Sequence, residues 1–484
     1  MNVLLITLDQ FRGDCLSSAG HPLVQTPNLD ALAAAGMRLD RHYSQAAPCG
    51  PGRASLYTGM YQMNTRVVGN GTPLDARFDN IALAARRAGF TPALFGYTDQ
   101  SVDPREATGP TDPRMQTYTG VLPGFDGMVE TDDHHLAWLG WLAGHGFDNV
   151  GNGHQALTSE PERPAEFSLS AFLTERALDW LQRQDTGWFV HVSYLRPHPP
   201  YAAAGHFSTM YDPAEVPTPI TADPLHKFHA QALRISGAPI DETERRCAQA
   251  QYYGMISEVD AQLGRLLDWL SASGQWDDTL IVVTADHGDQ MGDHGLIEKL
   301  GYFDQSYRIV GIVRDPSHPG AHGTVVDEFT ENIDIFPTVC EALGLPVPAQ
   351  CDGLPLTPFL RGESPPWWRT AAHWEYDWRD RFIYAGPHEW PWDRRLERFN
   401  LSVLRTRDVQ YVQFGDGSSL CFDLATDPTA RTLVTDPAVI LEQAQAMLAW
   451  RAQHLDRTMT DMLVDRGGVG RFPPGVPAAF TTGA

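Results

Sequence analysis

One recurrence constrains this chain more than any other: short apolar runs that stop at a polar or charged residue, separated by stretches with helical spacing of apolar side chains. Val3 to Leu8 stops at Asp9, Pro92 to Gly96 at Tyr97, Trp188 to Tyr194 just before Arg196, and Thr279 to Thr284 just before Asp286. Between them, Asn28 to Met37, Asp79 to Ala88, Glu175 to Gln184 and Gln249 to Leu270 carry the helical pattern behind polar starts. This alternation predicts an α/β fold, a mostly parallel sheet sandwiched by helices. In such sheets ligands sit beyond the carboxyl ends of the strands, so the residues ending the four runs are expected to converge although they lie far apart in sequence.

Residues 100–165 break the rhythm. Rich in Pro, Gly, Asp and His, they read as loops with one short apolar helix around Leu136 to Leu142, and long loops at a sheet edge often shape a substrate pocket. The Gly- and Pro-rich stretch 351–366 predicts a boundary between a catalytic domain, residues 1–365, and a smaller C-terminal α+β domain, residues 366–484. Within the latter, 401–414 and 419–422 read as a hairpin around Gly415, Asp416 and Gly417, followed by a helix from Ala438 to His454. The tail after Gly467 is expected to be an arm on another subunit, which implies a homo-oligomer, dimer or tetramer. Trp367, Trp368, Trp374, Trp378, Trp390 and Trp392 crowd around Glu375 to Asp377 and are expected to pack a domain seam or subunit interface rather than a substrate wall.

Charge narrows the function classes. Lys and Arg number 36 against 60 Asp and Glu, a formal net charge of −24, which argues against nucleic-acid and membrane-surface partners. The six cysteines are too dilute for a disulfide scaffold and form no CxxC pair, which suits a reducing compartment. The start, Met1-Asn2 and then Val3 to Leu8 before Asp9, lacks the basic start and apolar length of a signal peptide, and no run is long enough for a membrane span. A cytoplasmic protein is the expectation.

The chemistry-bearing string is Cys49-Gly50-Pro51-Gly52-Arg53-Ala54-Ser55-Leu56-Tyr57-Thr58-Gly59. A Cys at a Gly/Pro-rich turn that opens a helix sits where backbone N–H groups favour an anion, and Arg53 adds a bidentate donor. Taken alone, such a Cys is more often a buried inert thiol. The string as a whole, however, resembles the signature of the sulfatase family within the alkaline-phosphatase superfamily, Cys-x-Pro-x-Arg followed by Leu-x-Thr-Gly. The resemblance implies an alkaline-phosphatase-like core and oxidation of Cys49 to formylglycine by a formylglycine-generating enzyme, with the hydrated aldehyde as nucleophile. Gly52 departs from the Ser or Ala usual there.

Other elements of the family follow in order. The resemblance makes Asp9, Gln10, Asp286 and His287, with the group at Cys49, ligands of one divalent ion; carboxylates and an amide oxygen suit Mn²⁺, Ca²⁺ or Mg²⁺, and the imidazole tilts the choice towards a transition ion. Gln10 and His287 replace the Asp and Asn of many sulfatases and are similar to the phosphonate monoester hydrolase branch, as are Arg196-Pro197-His198-Pro199-Pro200 and Lys299-Leu300-Gly301-Tyr302. His198 and Lys299, unremarkable alone as a turn His and a surface Lys, are carried over as contacts to the leaving-group oxygen, with His198 as its acid or donor. Tyr97-Thr98-Asp99 is the most informative departure, since many arylsulfatases have Lys-x-His there and phosphonate monoester hydrolases Tyr-x-Thr. A phenol and a carboxylate in place of cations favour a singly charged ester over a phosphate monoester dianion. In this reading Arg53, Lys299 and Tyr97 neutralise developing charge, and Asp99 is either a proton acceptor for the nucleophile or a structural acceptor for Tyr97. The expected activity is hydrolysis of small aryl or alkyl sulfates with promiscuity towards phosphonate monoesters and phosphodiesters. The alternatives are phosphonate monoester or phosphodiester hydrolysis as the main reaction, and an unmodified, inactive relative that binds an anion or a partner.

Overall fold

A computed structural model describes residues 1–131, 134–379 and 398–455, together with the backbone of 463–464 and 470–471. The central sheet has eight strands in the order β5 (Asp126–Glu130), β4 (Ala93–Gly96), β6 (Phe189–Tyr194), β1 (Asn2–Leu8), β7 (Thr279–Thr284), β8 (Gly311–Arg314), β2 (Met37–Tyr43) and β9 (Thr324–Glu331). All neighbours are parallel except β8, which runs antiparallel to both β7 and β2. The four expected runs are thus four strands, β1, β4, β6 and β7.

Every residue of β1 is buried, and successive side chains divide between two cores. Leu4, Ile6 and Leu8 pack with Leu29, Phe172, Val259 and Leu263 on one side, while Val3 and Leu5 pack with Leu56, Ile81, Phe336 and Val339 on the other. Helices on both faces explain why the strand is continuously apolar. Register then sets the site: Thr7 lies opposite both Ser193 and Thr284, so the chain leaves β1, β6 and β7 at one level, with Asp9 and Asp286 just beyond.

A second, five-stranded sheet runs β13 (Ser419–Asp423), β12 (Val409–Phe414), β11 (Asn400–Arg405), β10 (Ala372–Asp377) and β3 (Ala46–Ala47). The parallel pairing of β3 with β10 fixes the two residues that precede Pro48 and Cys49, so the smaller sheet helps hold the start of the Cys49 helix. Of the described tryptophans, Trp374 stacks on Tyr43 and Tyr307 at 5.6 and 4.9 Å, and Trp378 lies 4.2 Å from Phe228. Both therefore fill the seam between the sheets. Trp390 and Trp392, and the tail after Gly467 apart from Gly470–Arg471, lie outside the described residues.

Several boundaries differ from expectation for local reasons. The first helix is Pro27–Ala34 and Met37 already belongs to β2; between them Gly36 packs so closely on β8 that a Cβ there would meet the Val313 carbonyl oxygen at 2.8 Å. The helix expected from Glu175 begins at Leu169, where the Ser168 hydroxyl accepts from the Ala171 N–H at 3.1 Å. The stretch 401–414 is two strands, since Arg405 to Val409 forms a turn. The loop region 100–165 holds β5 and a second helix, Gly153–Thr158, as well as the apolar helix Leu136–Gly144. No helix among the described residues is long and apolar enough to cross a membrane.

Candidate active site

Cys49 is the first residue of the helix Cys49–Thr58, whose ten residues are all buried. Gly52 shows why the helix can lie so close to the strand ends: a Cβ there would stand 2.5 Å from the Asp286 carbonyl oxygen. The departure from Ser or Ala at position 52 is therefore a packing requirement of this chain. At the helix start the Asn70 side-chain oxygen accepts from the Gly50 N–H at 2.9 Å. Sequence reasoning does not single Asn70 out, because nothing in its local pattern separates it from a loop polar residue.

The structure brings the expected residues together. Cys49 Sγ lies 3.3 Å from His287 Nε2, 3.6 Å from Lys299 Nζ and 3.9 Å from Asp9 Oδ1. One ligand atom each from Asp9, Cys49, Asp286 and His287 falls within 4.8 Å of the others, and all four residues are buried. His287 Nδ1 faces the Gly288 carbonyl at 3.0 Å, and a carbonyl only accepts, so the proton sits on Nδ1 and the Nε2 lone pair faces the cluster. Two carboxylates and an oriented imidazole fit a divalent cation. Gln10 lies beside them, its backbone N–H donating to Asp286 Oδ1 at 3.1 Å and its amide oxygen accepting from Lys299 at 3.1 Å.

Arg53 is fully buried and committed to the protein. It donates to Asp286 at 2.9 Å, to Asp9 at 3.2 Å, to the Tyr97 carbonyl at 3.1 Å and to the Ser193 hydroxyl at 2.7 Å, with its guanidinium carbon 4.2 Å from the Tyr97 ring centre. It is thus a brace between the carboxylates rather than a free donor aimed at a ligand. The sequence signal for its partner Ser193 was a polar pair, His191 and Ser193, on one face of an otherwise apolar strand, matched by Thr7 on β1, which donates to Ser193 at 2.9 Å.

One expectation is corrected. Tyr97 donates its hydroxyl to Asp9, not to Asp99, so Asp99 is no structural acceptor for it. Asp99 has left-handed backbone at φ 51° and lines the cavity described below. Burial, and then the charges of Asp9 and Asp286 against the pull of Arg53, push its carboxyl up to about 7. His198 and Lys299 form a pair with 2.9 Å between Nε2 and Nζ. His198 Nδ1 faces the Pro199 carbonyl at 2.9 Å and carries the ring proton, so Nε2 accepts from the Lys299 ammonium. Burial and the adjacent Lys299 hold His198 down to about 4. Burial, followed by Asp9, raises the Cys49 thiol well above its ordinary range.

These groups open on a cavity of about 240 Å³ lined by Asp9, Cys49, Tyr97, Asp99 and His198 at its base. Tyr118, Thr119, Thr131, His135, His154 and Leu157 supply much of the wall, so the 100–165 region shapes the pocket as its composition suggested.

Comparison with known proteins agrees with this architecture. The sulfatase family model matches residues 1–345, and a model described as N-sulphoglucosamine sulphohydrolase, C-terminal, matches residues 292–455. The chain is 39% identical to the multifunctional alkaline phosphatase superfamily protein PehA of Trinickia caryophylli, covering 95% of this chain and 96% of that protein. It is 29% identical to an arylsulfatase of Clostridium perfringens, covering 78% and 81%. Among solved structures, phosphonate monoester hydrolase of Agrobacterium radiobacter superimposes with a TM-score of 0.90 at 42% identity, covering 98% of this chain and all of that one.

Proposed function

Because the chain belongs to the sulfatase family of the alkaline phosphatase superfamily, and is a hydrolase of that family, we propose that it cleaves monoanionic esters with a divalent metal ion and a formylglycine made from Cys49. The observation that carries this reading is the buried cluster of Asp9, Cys49, Asp286 and His287 beside the Lys299 and His198 pair, at the floor of the cavity. An unmodified Cys49 thiol, held protonated by burial and Asp9, is a poor nucleophile, which supports conversion by a formylglycine-generating enzyme.

When bound, the metal supplies Lewis acidity towards an ester oxyanion, and formylglycine supplies the nucleophilic oxygen. The chain's own residues do the rest. Arg53 and Tyr97 both donate to Asp9 Oδ2, and Arg53 also donates to Asp286, so the two carboxylates are held aimed at the cluster. Lys299 holds the proton available to a departing oxygen on Nζ, while His198 Nε2 accepts from it, so the pair rather than His198 alone acts as the leaving-group donor. With Arg53 already engaged by carboxylates, Lys299 beside Cys49 and His198 is set against Asp99 on the cavity lining, a balance that suits one negative charge better than two. Aryl sulfates, phosphonate monoesters and phosphodiesters all meet that condition.

Small aryl or alkyl sulfates are the preferred substrates in this reading, with promiscuity towards the phosphorus esters. The similarity to a phosphonate monoester hydrolase over nearly the whole chain favours the second reading, in which phosphonate monoesters or phosphodiesters are turned over fastest. Six free cysteines suit a cytoplasmic setting, and a homo-oligomer completes the proposal. The test is mass spectrometry of the Cys49 peptide from protein produced beside a formylglycine-generating enzyme, with turnover of an aryl sulfate, an aryl phosphonate and an aryl phosphodiester by wild type and Asp99→Thr. An aldehyde at position 49 and turnover of monoanions are expected. An unmodified thiol would sink the reading and leave the inactive anion-binding relative, and a wild type that hydrolyses only phosphate monoester dianions would overturn the charge argument for monoanions.

A further inference from the structure

Asp289 lies three residues beyond Asp286 and is fully buried. It belongs neither to the metal cluster nor to the cavity lining, yet its carboxylate is surrounded by donors. One oxygen, Oδ2, accepts from both the Gln10 side-chain N–H and the Tyr201 hydroxyl, the latter at 2.8 Å, while Oδ1 accepts from the Met291 N–H at 2.9 Å. Gln10 is held just as closely: its backbone is left-handed at φ 69°, and its carbonyl oxygen accepts from the Tyr252 hydroxyl at 2.7 Å.

An amide side chain has two nearly isosteric ends, and only its partners decide which is oxygen. For Gln10 the partners are unambiguous. Asp289 as a carboxylate only accepts, so it takes the NH₂ end; Lys299 as an ammonium only donates, at 3.1 Å, so it takes the oxygen. We propose that Asp289 is a positioning residue, whose carboxylate fixes the Gln10 amide with its oxygen towards Lys299 and so presents an oxygen donor beside the Asp9, Cys49, Asp286 and His287 cluster. Through Tyr201 the same carboxylate ties that amide to the segment carrying His198. The inference rests on the metal reading above, and it adds a residue that touches neither substrate nor metal.

The geometry predicts a specific failure and a specific rescue. In Asp289→Asn the new amide faces three donors. If its oxygen takes the Oδ2 place, its NH₂ opposes the Met291 N–H; if its oxygen takes the Oδ1 place, its NH₂ can donate to the Tyr201 oxygen but opposes the Gln10 NH₂, and a turned Gln10 would then set its own NH₂ against Lys299. Every arrangement leaves donors face to face in a buried site. Adding Gln10→Glu resolves all of them. The introduced amide donates to the new carboxylate and to the Tyr201 oxygen and accepts from Met291, while Lys299 donates to the other carboxylate oxygen. Gln10→Glu by itself places two carboxylates against each other.

The experiment is titration of metal-stripped, full-length proteins with Mn²⁺, followed by electron paramagnetic resonance of the free ion, in wild type, Asp289→Asn, Gln10→Glu and the double variant. Thermal unfolding and the formylglycine content at Cys49 are measured alongside. Asp289→Asn is expected to weaken Mn²⁺ binding about 10- to 100-fold. Gln10→Glu should weaken binding in the wild-type background and strengthen it in the Asp289→Asn background, a reversal that a merely structural role would not produce. Wild-type affinity in Asp289→Asn, or the same effect of Gln10→Glu in both backgrounds, overturns the proposal. If Asp289→Asn does not fold, the double variant decides: folded and Mn²⁺-binding supports the assignment, and anything less overturns it. A wild type that takes up no Mn²⁺ overturns the metal reading itself, and this inference with it.

Discussion

Two buried arginines in this molecule each sit between two carboxylates, and only one of them borders the candidate active site. At the seam between the sheets, Arg369 donates to both oxygens of Asp334 and lies 3.3 Å from Glu331, which also accepts from the Tyr61 hydroxyl and the His373 N–H. At the strand ends, Arg53 bridges Asp9 and Asp286. Burial opposes ionisation of Glu331, but Arg369, His373 and Tyr61 outweigh it and hold its carboxyl below the usual range. At the strand ends burial and the nearby Asp9 win at Asp286, whose carboxyl is pushed up. Both clusters are fully buried, so burial and an arginine do not distinguish them. What differs is the remaining coordination capacity: at the seam the carboxylates are consumed by Arg369, Tyr61 and backbone N–H groups, whereas around Arg53 carboxylate oxygens, an imidazole lone pair and Cys49 crowd within 4.8 Å beside a cavity.

The comparison predicts that mutations in the two clusters separate activity from stability. Cys49→Ala should lower turnover of every ester class by at least about 10⁴-fold while shifting the thermal midpoint little, read by steady-state assay and calorimetry on the same samples. A large loss of stability in that variant would show that the site cluster is also structural. Arg369→Met should do the reverse, costing roughly 3–5 kcal/mol of unfolding free energy because Glu331 and Asp334 are left buried without their cation. In denaturant melts an unchanged midpoint would mean that the seam pair is dispensable.

The smallest effect comes from a third cluster, in which Arg196 pairs with Glu160 while Glu258 stands close by. Burial, then the neighbouring Glu160, pushes Glu258 up to about 7 from an ordinary value near 4.5. A raised carboxyl means that the folded state binds the proton more tightly. Its contribution to stability is therefore complete below about pH 4.5 and is lost as pH rises towards 7. Glu258→Gln, which mimics the protonated form, should abolish this slope and stabilise the protein above pH 7 by roughly 1–3 kcal/mol. Parallel melts of wild type and variant across pH 4 to 8 check it, and parallel pH profiles would show that Glu258 titrates alike in the folded and unfolded chain, with no raised carboxyl.

Much of the fold and site was legible in the sequence, for identifiable reasons. The four apolar runs ending at Asp9, Tyr97, Arg196 and Asp286 marked four strands because strands buried on both faces are apolar over most of their length. Less was legible where a single residue interrupts a pattern without changing its hydrophobicity. The turn at 406–408 inside the stretch 401–414 and the early helix start behind Ser168 are of that kind. The cavity wall from Tyr118 to Leu157 could be anticipated as a region but not residue by residue, because loops carry no period.

The sequence alone determined which candidate site residues are present and which of them follow strand ends, since the Cys49 string and the periodicity of the runs are local properties of the chain. Tertiary structure decided which atom faces which. It turned Arg53 from a candidate ligand donor into a brace, gave Tyr97 to Asp9 instead of Asp99, let Asp289 orient the Gln10 amide, and required Gly at 52. Each outcome depends on separations of about 3 Å between residues dozens to hundreds of positions apart, and hydrogen bonds weaken steeply with small changes in distance and angle. No pattern along the chain encodes distances of that kind; only the packed register of β1, β6 and β7 fixes them.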